Sequence, residues 1–214
     1  DLKNPISAMR GYIELMITQY DNIEPEKKKE FLQEVFNAIE RVSLMVNNIL
    51  YWIKNQTNGI NMQKKNMNVQ KQIKNNILIY RLIAKSKEIS FIDKTDESHT
   101  IYTDINIFET IIRNLISNSL KFTPAGGKII FSSKRERNSI VISVRDTGKG
   151  IPEEKIKDIL NPETFVSGTG TNQEKGTGMG INLVQEFCEL LGADLKITSR
   201  ENEGTNVSLA FPLI

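Results

Sequence analysis

The stretch DTGKGIP, residues 146–152, follows an apolar strand pattern at Val141–Val144. A carboxylate at the end of such a strand is partly desolvated and can accept a hydrogen bond from an exocyclic amine, such as N6 of adenine. A buried acceptor without a partner costs about 1–3 kcal/mol, so the position favours a base that carries this amine. Gly148 and Gly150 allow the backbone to approach a ring closely. Taken alone, the stretch is equally compatible with an ordinary Asp-Gly turn.

A second glycine-rich stretch, GTGMG at residues 176–180, leads into an amphipathic helix pattern at Ile181–Leu191 that stops at Gly192. Backbone N–H groups of such a loop, together with a helix N-terminus, form an anion site that suits phosphates. The stretch is not a dinucleotide-binding fingerprint, because no parallel βαβ unit surrounds it. It is not a Walker A loop either, because no Gly-Lys-Ser/Thr follows.

The third stretch is NLISNSLKF, residues 114–122, within a helix pattern at Ile105–Phe122. Asn114, Asn118 and Lys121 are spaced i, i+4 and i+7, so they share one helix face. Asparagine inside an apolar helix is unfavourable unless its amide is used. Neutral oxygen ligands with phosphate oxygens and waters suit Mg²⁺, and a nearby lysine can hold a phosphate. For this helix alone, a solvated polar stripe is the simpler interpretation.

The elements around these stretches predict an α+β sandwich with helices on one face of the sheet. A further helix is predicted at Gln72–Ala84, and residues 55–68, which are polar and weakly periodic, are predicted to be a linker. Helices and strands alternate without a regular βαβ repeat. The predicted strands are Ser90–Ile92, Thr100–Thr103, Lys128–Ser133, Ser139–Arg145, Leu195–Ser199 and Asn206–Phe211.

The first 55 residues carry two apolar seams with alternating spacings of four and three. The first seam runs from Leu2 to Tyr20 and the second from Phe31 to Trp52, while Pro25 suits the first turn of the second helix. This pattern predicts an antiparallel helical hairpin. Two hairpins packed together bury both seams in a four-helix bundle, so we expect a homodimer through residues 1–55. The alternative is a hairpin packed against the rest of its own chain.

The three stretches, in this order and at these distances, resemble the Bergerat-type ATP-binding domain of histidine kinases, type II topoisomerases, heat-shock-90 chaperones and mismatch-repair ATPases. EGTNV at residues 203–207 resembles the last glycine box of the histidine kinase branch. DLKNPI at residues 1–6 resembles that branch's phospho-acceptor box, in which a histidine precedes the acid. The resemblance implies a dimerisation and histidine-phosphotransfer hairpin at 1–58 and an ATP-binding catalytic domain at 66–214.

This resemblance implies a bacterial sensor histidine kinase of a two-component system. Such a kinase binds Mg²⁺ and ATP, phosphorylates a histidine expected immediately before Asp1, and passes the phosphoryl group to an aspartate of a response regulator. Asp1 is the implied base, and Asn4 would position a water for a regulator phosphatase activity. Asn114 and Asn118 are the implied metal ligands, with Asn114 also in the catalytic set. The implied nucleotide contacts are Asn114, Asn118, Lys121, Phe122, Asp146, Gly148, Gly150, Ile151, Gly176, Thr177, Gly178, Met179, Gly180 and Thr205.

The chain departs from the family pattern in several places. His99, the only histidine, lies in a polar stretch and is predicted to be a surface loop residue. Ser119 stands where the family often has alanine. Residues 152–175 are expected to form a lid, with Asn161–Phe165 as the remnant of an aromatic box. Two other functions stay open: a pseudokinase, if no histidine precedes Asp1, and a chaperone- or topoisomerase-type ATPase, although those carry a carboxylate base in the asparagine helix.

The composition limits which partners and which cellular compartment we expect for the chain. The chain has 28 Lys+Arg against 26 Asp+Glu, a net charge of +2, which is too small an excess to predict nucleic-acid binding. The lone Cys188 favours a reducing compartment. No apolar run reaches the roughly 18–20 residues needed to cross a bilayer. The chain starts at Asp1 rather than Met, so we expect a fragment of a longer protein. The resemblance implies that the parent is an inner-membrane sensor kinase and that this fragment is cytoplasmic, without membrane contact of its own.

Overall fold

A computed structural model describes residues 3–36, 38–39, 42, 62–161, 170–171 and 180–213. The chain divides into two compact units, residues 1–61 and 62–214. Several predicted features lie outside the described residues: Asp1, the end of the second seam from residue 43 to 52, and the glycine loop at residues 176–179. No helix in the described ranges is both long enough and apolar enough to cross a membrane.

The first unit contains the two predicted helices and the break between them. Helix α1 covers Lys3–Thr18, a 3-10 helix covers Tyr20–Asn22, and helix α2 begins at Pro25 and is described at residues 25–36, 38–39 and 42. Proline at the first helical position costs nothing, because its missing N–H would have no partner there. The rings of Tyr12 and Phe31, whose centroids are 5.2 Å apart, bring the two helices together.

The second unit is an α+β fold, as predicted. Its elements are β1 (Lys64–Asn68), α3 (Val69–Ser86), β2 (Ser90–Lys94), β3 (Thr100–Asp104), α4 (Ile105–Phe122), β4 (Lys128–Arg135), β5 (Ser139–Asp146), α5 (Glu153–Ile159), α6 (Gly180–Leu191), β6 (Asp194–Arg200) and β7 (Gly204–Pro212). Five strands form a sheet with the order β2-β4-β5-β7-β6, in which β2 and β4 are parallel and the other pairs are antiparallel. Strands β1 and β3 form a separate antiparallel pair.

The core lies between the sheet and its helices. Alternate residues of β4, β5 and β7 are buried, which is the period-two pattern of a strand with one covered face. Helix α4 contributes seven buried side chains to this layer. Phe108 of α4 is 0% exposed, and its ring centroid lies 5.8 Å from that of Phe211 on β7.

Helix α4 has the predicted bounds because both of its ends carry strong local signals. At the start, the Asp104 carboxylate accepts hydrogen bonds from the backbone N–H groups of Asn106 and Ile107 at 3.0 and 3.3 Å. This satisfies two donors that the first helical turn leaves free. At the end, Thr123 is extended, with φ −93° and ψ 128°, as expected before Pro124.

Two elements differ from the sequence-based expectations. Residues 64–68, assigned to a linker, form β1, because Met67 is buried at 2% exposure and the strand pairs with β3. The second unit begins at Met62. Helix α5 lies within the expected lid. Pro152 precedes it and Glu153 and Glu154 occupy its first turn, where negative charge is favourable.

We expect Phe108→Ala to destabilise the second unit by about 3–5 kcal/mol, since it removes a completely buried ring and leaves a cavity. Urea denaturation followed by far-UV circular dichroism measures the change. Leu82→Ala is the control, because Leu82 is 80% exposed on α3. Equal effects of the two substitutions would show that the α4–β7 contact does not form the core.

Candidate functional site

Asp146, the last residue of β5, holds a buried carboxylate at the end of the central strand of the sheet. It is 6% exposed. Its Oδ1 accepts hydrogen bonds from the N–H groups of Gly148 at 2.9 Å and Thr205 at 3.1 Å, and its Oδ2 accepts one from the Ser119 hydroxyl at 3.3 Å. Burial raises the pKa of Asp146, while these hydrogen bonds and the charge of Arg145 lower it; burial is the larger effect. Oδ2 retains capacity for one more donor.

The loop after Asp146 lies against the end of α4. A Cβ on Gly148 would stand 2.5 Å from the carbonyl oxygen of Phe122 and 2.8 Å from Asp146 Oδ1, so only glycine fits. Gly150 has φ +66°, and a Cβ there would overlap the carbonyl oxygen of Arg200. The protein's own backbone therefore already requires glycine at position 150, whether or not a ligand also approaches it. The N–H of Ile151 donates to Ser199 Oγ at 2.8 Å.

Asn114 and Asn118 meet the first residue of α6. A Cβ placed on Gly180 would lie 3.4 Å from Asn114 Oδ1 and 3.4 Å from Asn118 Nδ2. The Asn114 amide nitrogen donates to the Thr110 carbonyl oxygen at 2.9 Å, which leaves its Oδ1 as an acceptor. The helix N-terminus, whose free N–H groups carry partial positive charge, thus lies beside two side-chain amides.

The side-chain oxygens of Asn114 and Asn118 suit a magnesium ion that is bound together with phosphates. Within the described part of the chain, no group of three or more His, Cys, Asp or Glu side chains could hold a metal. Asn114 and Asn118 offer neutral oxygens, and Mg²⁺ prefers six oxygen ligands, many of them water or phosphate. A cation here would take most of its ligands from a bound triphosphate and from solvent.

Two lysines flank Phe122 at the end of α4. The Nζ atoms of Lys121 and Lys149 lie 4.7 Å and 4.9 Å from the centroid of the Phe122 ring. Lys149 was not among the predicted site residues, although it stands between the two glycines of the DTGKG stretch. Its N–H donates to the Phe122 carbonyl oxygen at 3.1 Å, which fixes the loop to the helix. The pair concentrates positive charge at this end of α4.

Thr171, within the expected lid, also contacts the end of α4. Its N–H and hydroxyl donate to the Lys121 carbonyl oxygen at 3.0 and 3.2 Å, and the hydroxyl lies 3.3 Å from the Thr123 carbonyl oxygen. The last carbonyl groups of a helix have no partner within the helix. Thr171 therefore completes the C-terminus of α4, a contact between positions too distant in sequence for local patterns to reveal.

The predicted site residues fall into two described clusters and a remainder. Asp146, Gly148 and Thr205 form one cluster, and Asn114, Asn118 and Gly180 form the other; Lys121 and Phe122 follow on α4. Asp1 and residues 176–179 lie outside the described residues, and Asn4 lies in the first turn of α1. His99 Nδ1 lies 2.7 Å from Ser133 Oγ, in the loop before β3.

Family comparisons match both parts of the chain. The His Kinase A (phospho-acceptor) domain family matches residues 1–58, and the histidine kinase-, DNA gyrase B- and HSP90-like ATPase family matches residues 103–214. The chain is 25% identical over its whole length to the Vibrio parahaemolyticus autoinducer 2 sensor kinase/phosphatase LuxQ, and 28% identical to Bacillus subtilis sporulation kinase C. It spans 25% and 47% of those two proteins.

Solved structures share the fold. The Acinetobacter baumannii histidine kinase AdeS has a TM-score of 0.70 at 17% identity, covering 99% of this chain and 96% of that one. The histidine kinase ThkA, solved in complex with the response regulator protein TrrA, has a TM-score of 0.67 at 22% identity. The match covers 99% of this chain and 58% of the ThkA chain.

A phospho-acceptor helical region followed by an ATPase fold of this type defines the core of a histidine kinase. The chain belongs to the bacterial sensor histidine kinase family, with a catalytic domain of the gyrase, HSP90 and histidine kinase type. The phospho-acceptor match is the feature that separates it from the topoisomerase and chaperone branches, as the opening residues predicted.

Asp146→Asn should change how the protein's stability depends on pH. Burial raises the pKa of Asp146 above the ordinary value for an aspartate. The stability that this carboxyl contributes is therefore complete below its unfolded pKa and is lost as the pH rises through its folded pKa. The amide cannot ionise, so the variant should gain free energy of unfolding relative to wild type as the pH rises from about 4 to 7.

Urea midpoints across that pH range measure this difference. Asp194→Asn, which alters an exposed carboxyl on β6, is the control and should follow the wild-type profile. Parallel profiles for wild type and Asp146→Asn would contradict the raised pKa.

Proposed function

We propose that this chain is the ATP-binding and phosphotransfer core of a sensor histidine kinase. It transfers the γ-phosphoryl group of ATP to a histidine that precedes Asp1, and from there to an aspartate of a response regulator. The observation that carries the proposal is the Asp146 carboxylate, which is buried, held by three donors and still able to accept one more. An acceptor of this kind suits the exocyclic amine of adenine.

The phosphate end of the nucleotide belongs at the asparagine pair. Asn114 and Asn118 would hold Mg²⁺, which neutralises phosphate charge when bound. Lys121 would contact phosphate, and the N-terminus of α6 at Gly180 would receive it with the loop at residues 176–179. We expect Phe122, Gly148, Gly150, Ile151 and Thr205 to supply the remaining contacts to the nucleotide, and the backbone at Gly150 also packs closely on Arg200.

The phosphate-accepting chemistry is assigned to α1. Asp1 would orient the acceptor imidazole or take its proton. Asn4 lies in the first turn of the helix and would position a water that dephosphorylates the regulator. The relative LuxQ carries the name kinase/phosphatase, and ThkA is solved with a response regulator, which supports both the partner class and the second activity. The parent protein is proposed to be a membrane-anchored sensor, with this part in the cytoplasm.

The direct test is phosphorylation of a protein that includes the native residues immediately upstream of Asp1. With Mg²⁺ and γ-labelled ATP it should acquire phosphate that survives base and is lost in acid. Asp146→Asn should weaken ATP binding by roughly 10- to 100-fold, since it removes a hydrogen bond to a charged acceptor. Label should fall in parallel when ATP is limiting.

A protein that binds ATP in an Asp146-dependent manner but never acquires acid-labile phosphate would be a pseudokinase. Rapid ATP hydrolysis by the isolated chain, without phosphorylation, would instead favour the chaperone-type ATPase. Replacement of the upstream histidine by glutamine is the matched control for the label.

The first unit is proposed to form a homodimer. In the single chain, the seam residues Ile6 and Ile13 are 49% and 47% exposed. An apolar groove of about 310 Å³ opens between the two helices at the hairpin end. The lining residues are Tyr12, Ile13, Met16, Ile17, Tyr20, Phe31, Leu32 and Val35. A second hairpin that buries this surface would complete a four-helix bundle.

Ile13→Glu should disrupt this dimer, because it places a carboxylate in the apolar seam where it would have no partner. Sedimentation velocity should show a monomer at concentrations where the wild type is a dimer. Ser7→Glu is the matched control, since it adds the same group to an exposed position of α1 away from the seam. Dimers of Ile13→Glu as stable as those of the wild type would exclude the seam as the interface.

A further inference from the structure

Ser119 lies in the interior of the second unit and contacts the proposed base-binding carboxylate directly. Ser119 is 5% exposed, and its hydroxyl donates a hydrogen bond to Asp146 Oδ2 at 3.3 Å. We propose that Ser119 determines base specificity: by donating to Oδ2, it positions that oxygen to receive the exocyclic amine of a 6-aminopurine nucleotide. The inference rests on the proposed ATP site and names a positioning residue within it.

The number of acceptor positions on the carboxylate supports this role. A carboxylate offers about four lone-pair positions, two on each oxygen. Gly148 and Thr205 occupy both positions on Oδ1, and Ser119 occupies one on Oδ2. One acceptor position is left, which matches a single N–H of an amine. A 6-oxo base would place its own oxygen against this position, and two acceptors repel each other.

Ser119 also fixes the position of Asp146 Oδ2, the oxygen that would accept the hydrogen bond from the base. The two backbone N–H groups hold only Oδ1, so without the hydroxyl the other oxygen would have no hydrogen-bond partner among the described residues. The donor comes from α4, whereas the other two come from the loop and from β7. The carboxylate plane is therefore defined by contacts from three separate segments.

The hydroxyl further keeps Asp146 in its acceptor form. Burial raises the pKa of Asp146, and the Ser119 hydrogen bond is among the effects that lower it. The cations nearest in sequence to Asp146 and its donors are Arg145 on β5, Lys149 in the loop and Lys121 on α4. The acids nearest in sequence are Glu201 and Glu203, in the turn between β6 and β7 just before Thr205. Glu203 is paired with Arg200, the last residue of β6, at 3.8 Å. Removing the hydroxyl should raise the pKa of Asp146 further.

The test compares Ser119→Ala with the matched control Ser117→Ala. Both remove one hydroxyl from α4, and Ser117 is exposed. Alanine has a higher helix propensity than serine, so both variants should keep the helix. Calorimetric titration with Mg·ATP and with Mg·ITP, whose base carries an oxygen in place of the amine, measures both affinities.

Ser119→Ala should lower ATP affinity about 10-fold, near the weaker limit for a hydrogen bond to a charged group. It should leave ITP affinity unchanged, so the preference for ATP falls by the same factor. In the phosphorylation assay, KM for ATP should rise while kcat at saturating ATP stays constant. Ser117→Ala should match the wild type in every measurement.

The pH profile gives a second readout that a purely structural role would not move. As the pH falls, protonation of Asp146 removes the acceptor for the amine. This loss of ATP affinity should begin at a higher pH in Ser119→Ala than in the wild type, because the variant carboxyl lacks one stabilising donor.

Equal losses of ATP and ITP affinity, with no shift of the pH profile, would overturn the inference and leave Ser119 as a packing residue. Unchanged ATP affinity in Ser119→Ala would overturn it as well. Asp146→Asn separates these failures from failure of the proposed function. If that variant loses ATP while Ser119→Ala behaves as the wild type, only the role of Ser119 is wrong. If Asp146→Asn keeps wild-type ATP affinity, the adenine site itself is wrong.

Discussion

One buried carboxylate ties together the parts of the second unit that form the proposed nucleotide site. Asp146 ends the central strand β5, and its oxygens accept hydrogen bonds from the following loop, from β7 and from α4. Two of these partners lie 59 and 27 residues away in the sequence. Burying an ionised group is costly unless its hydrogen-bonding positions are satisfied. The fold satisfies three and leaves one, and that remaining position gives the carboxylate its proposed function.

The raised pKa of Asp146 implies a conflict between stability and binding. The charged form is the better acceptor for an amine, yet it is the form that burial disfavours. Without a ligand, ionisation of this carboxyl therefore lowers the stability of the folded protein. Such local conflicts are common where structure serves function, because the site is selected for binding rather than for stability.

Local sequence signals predicted most of the second unit. The predicted bounds of helix α4 were correct at both ends, because Asp104 caps its start and Thr123-Pro124 ends it. Strand β1 was missed, since four of its five residues are Lys or Asn and only Met67 is buried. Helix α5 was missed because it has no buried residue, so no apolar periodicity marks it, although Pro152 and two glutamates were a usable signal.

The proposed site was predicted as far as single motifs allow. The spacing of Asn114 and Asn118 placed them on one helix face, where the structure has them beside Gly180. The contact of Gly150 with Arg200, 50 residues further along the chain, could not be predicted from the local motif. The Ser119–Asp146 hydrogen bond could not be predicted from the sequence either, because it joins two motifs whose relative placement only the tertiary fold determines.

The strand order also determines when the sheet can close during synthesis of the chain. Strand β7 lies between β5 and β6, yet it is the last of the three in the chain. During translation, β5 emerges with one edge unpaired, and that edge stays open until residues 204–212 have left the ribosome. Unpaired edges can associate with other chains. Because Thr205 belongs to this late strand, the Asp146 carboxylate acquires its full set of donors only when the sheet closes. Nascent chains should therefore gain nucleotide affinity late, after most of the unit has already been made.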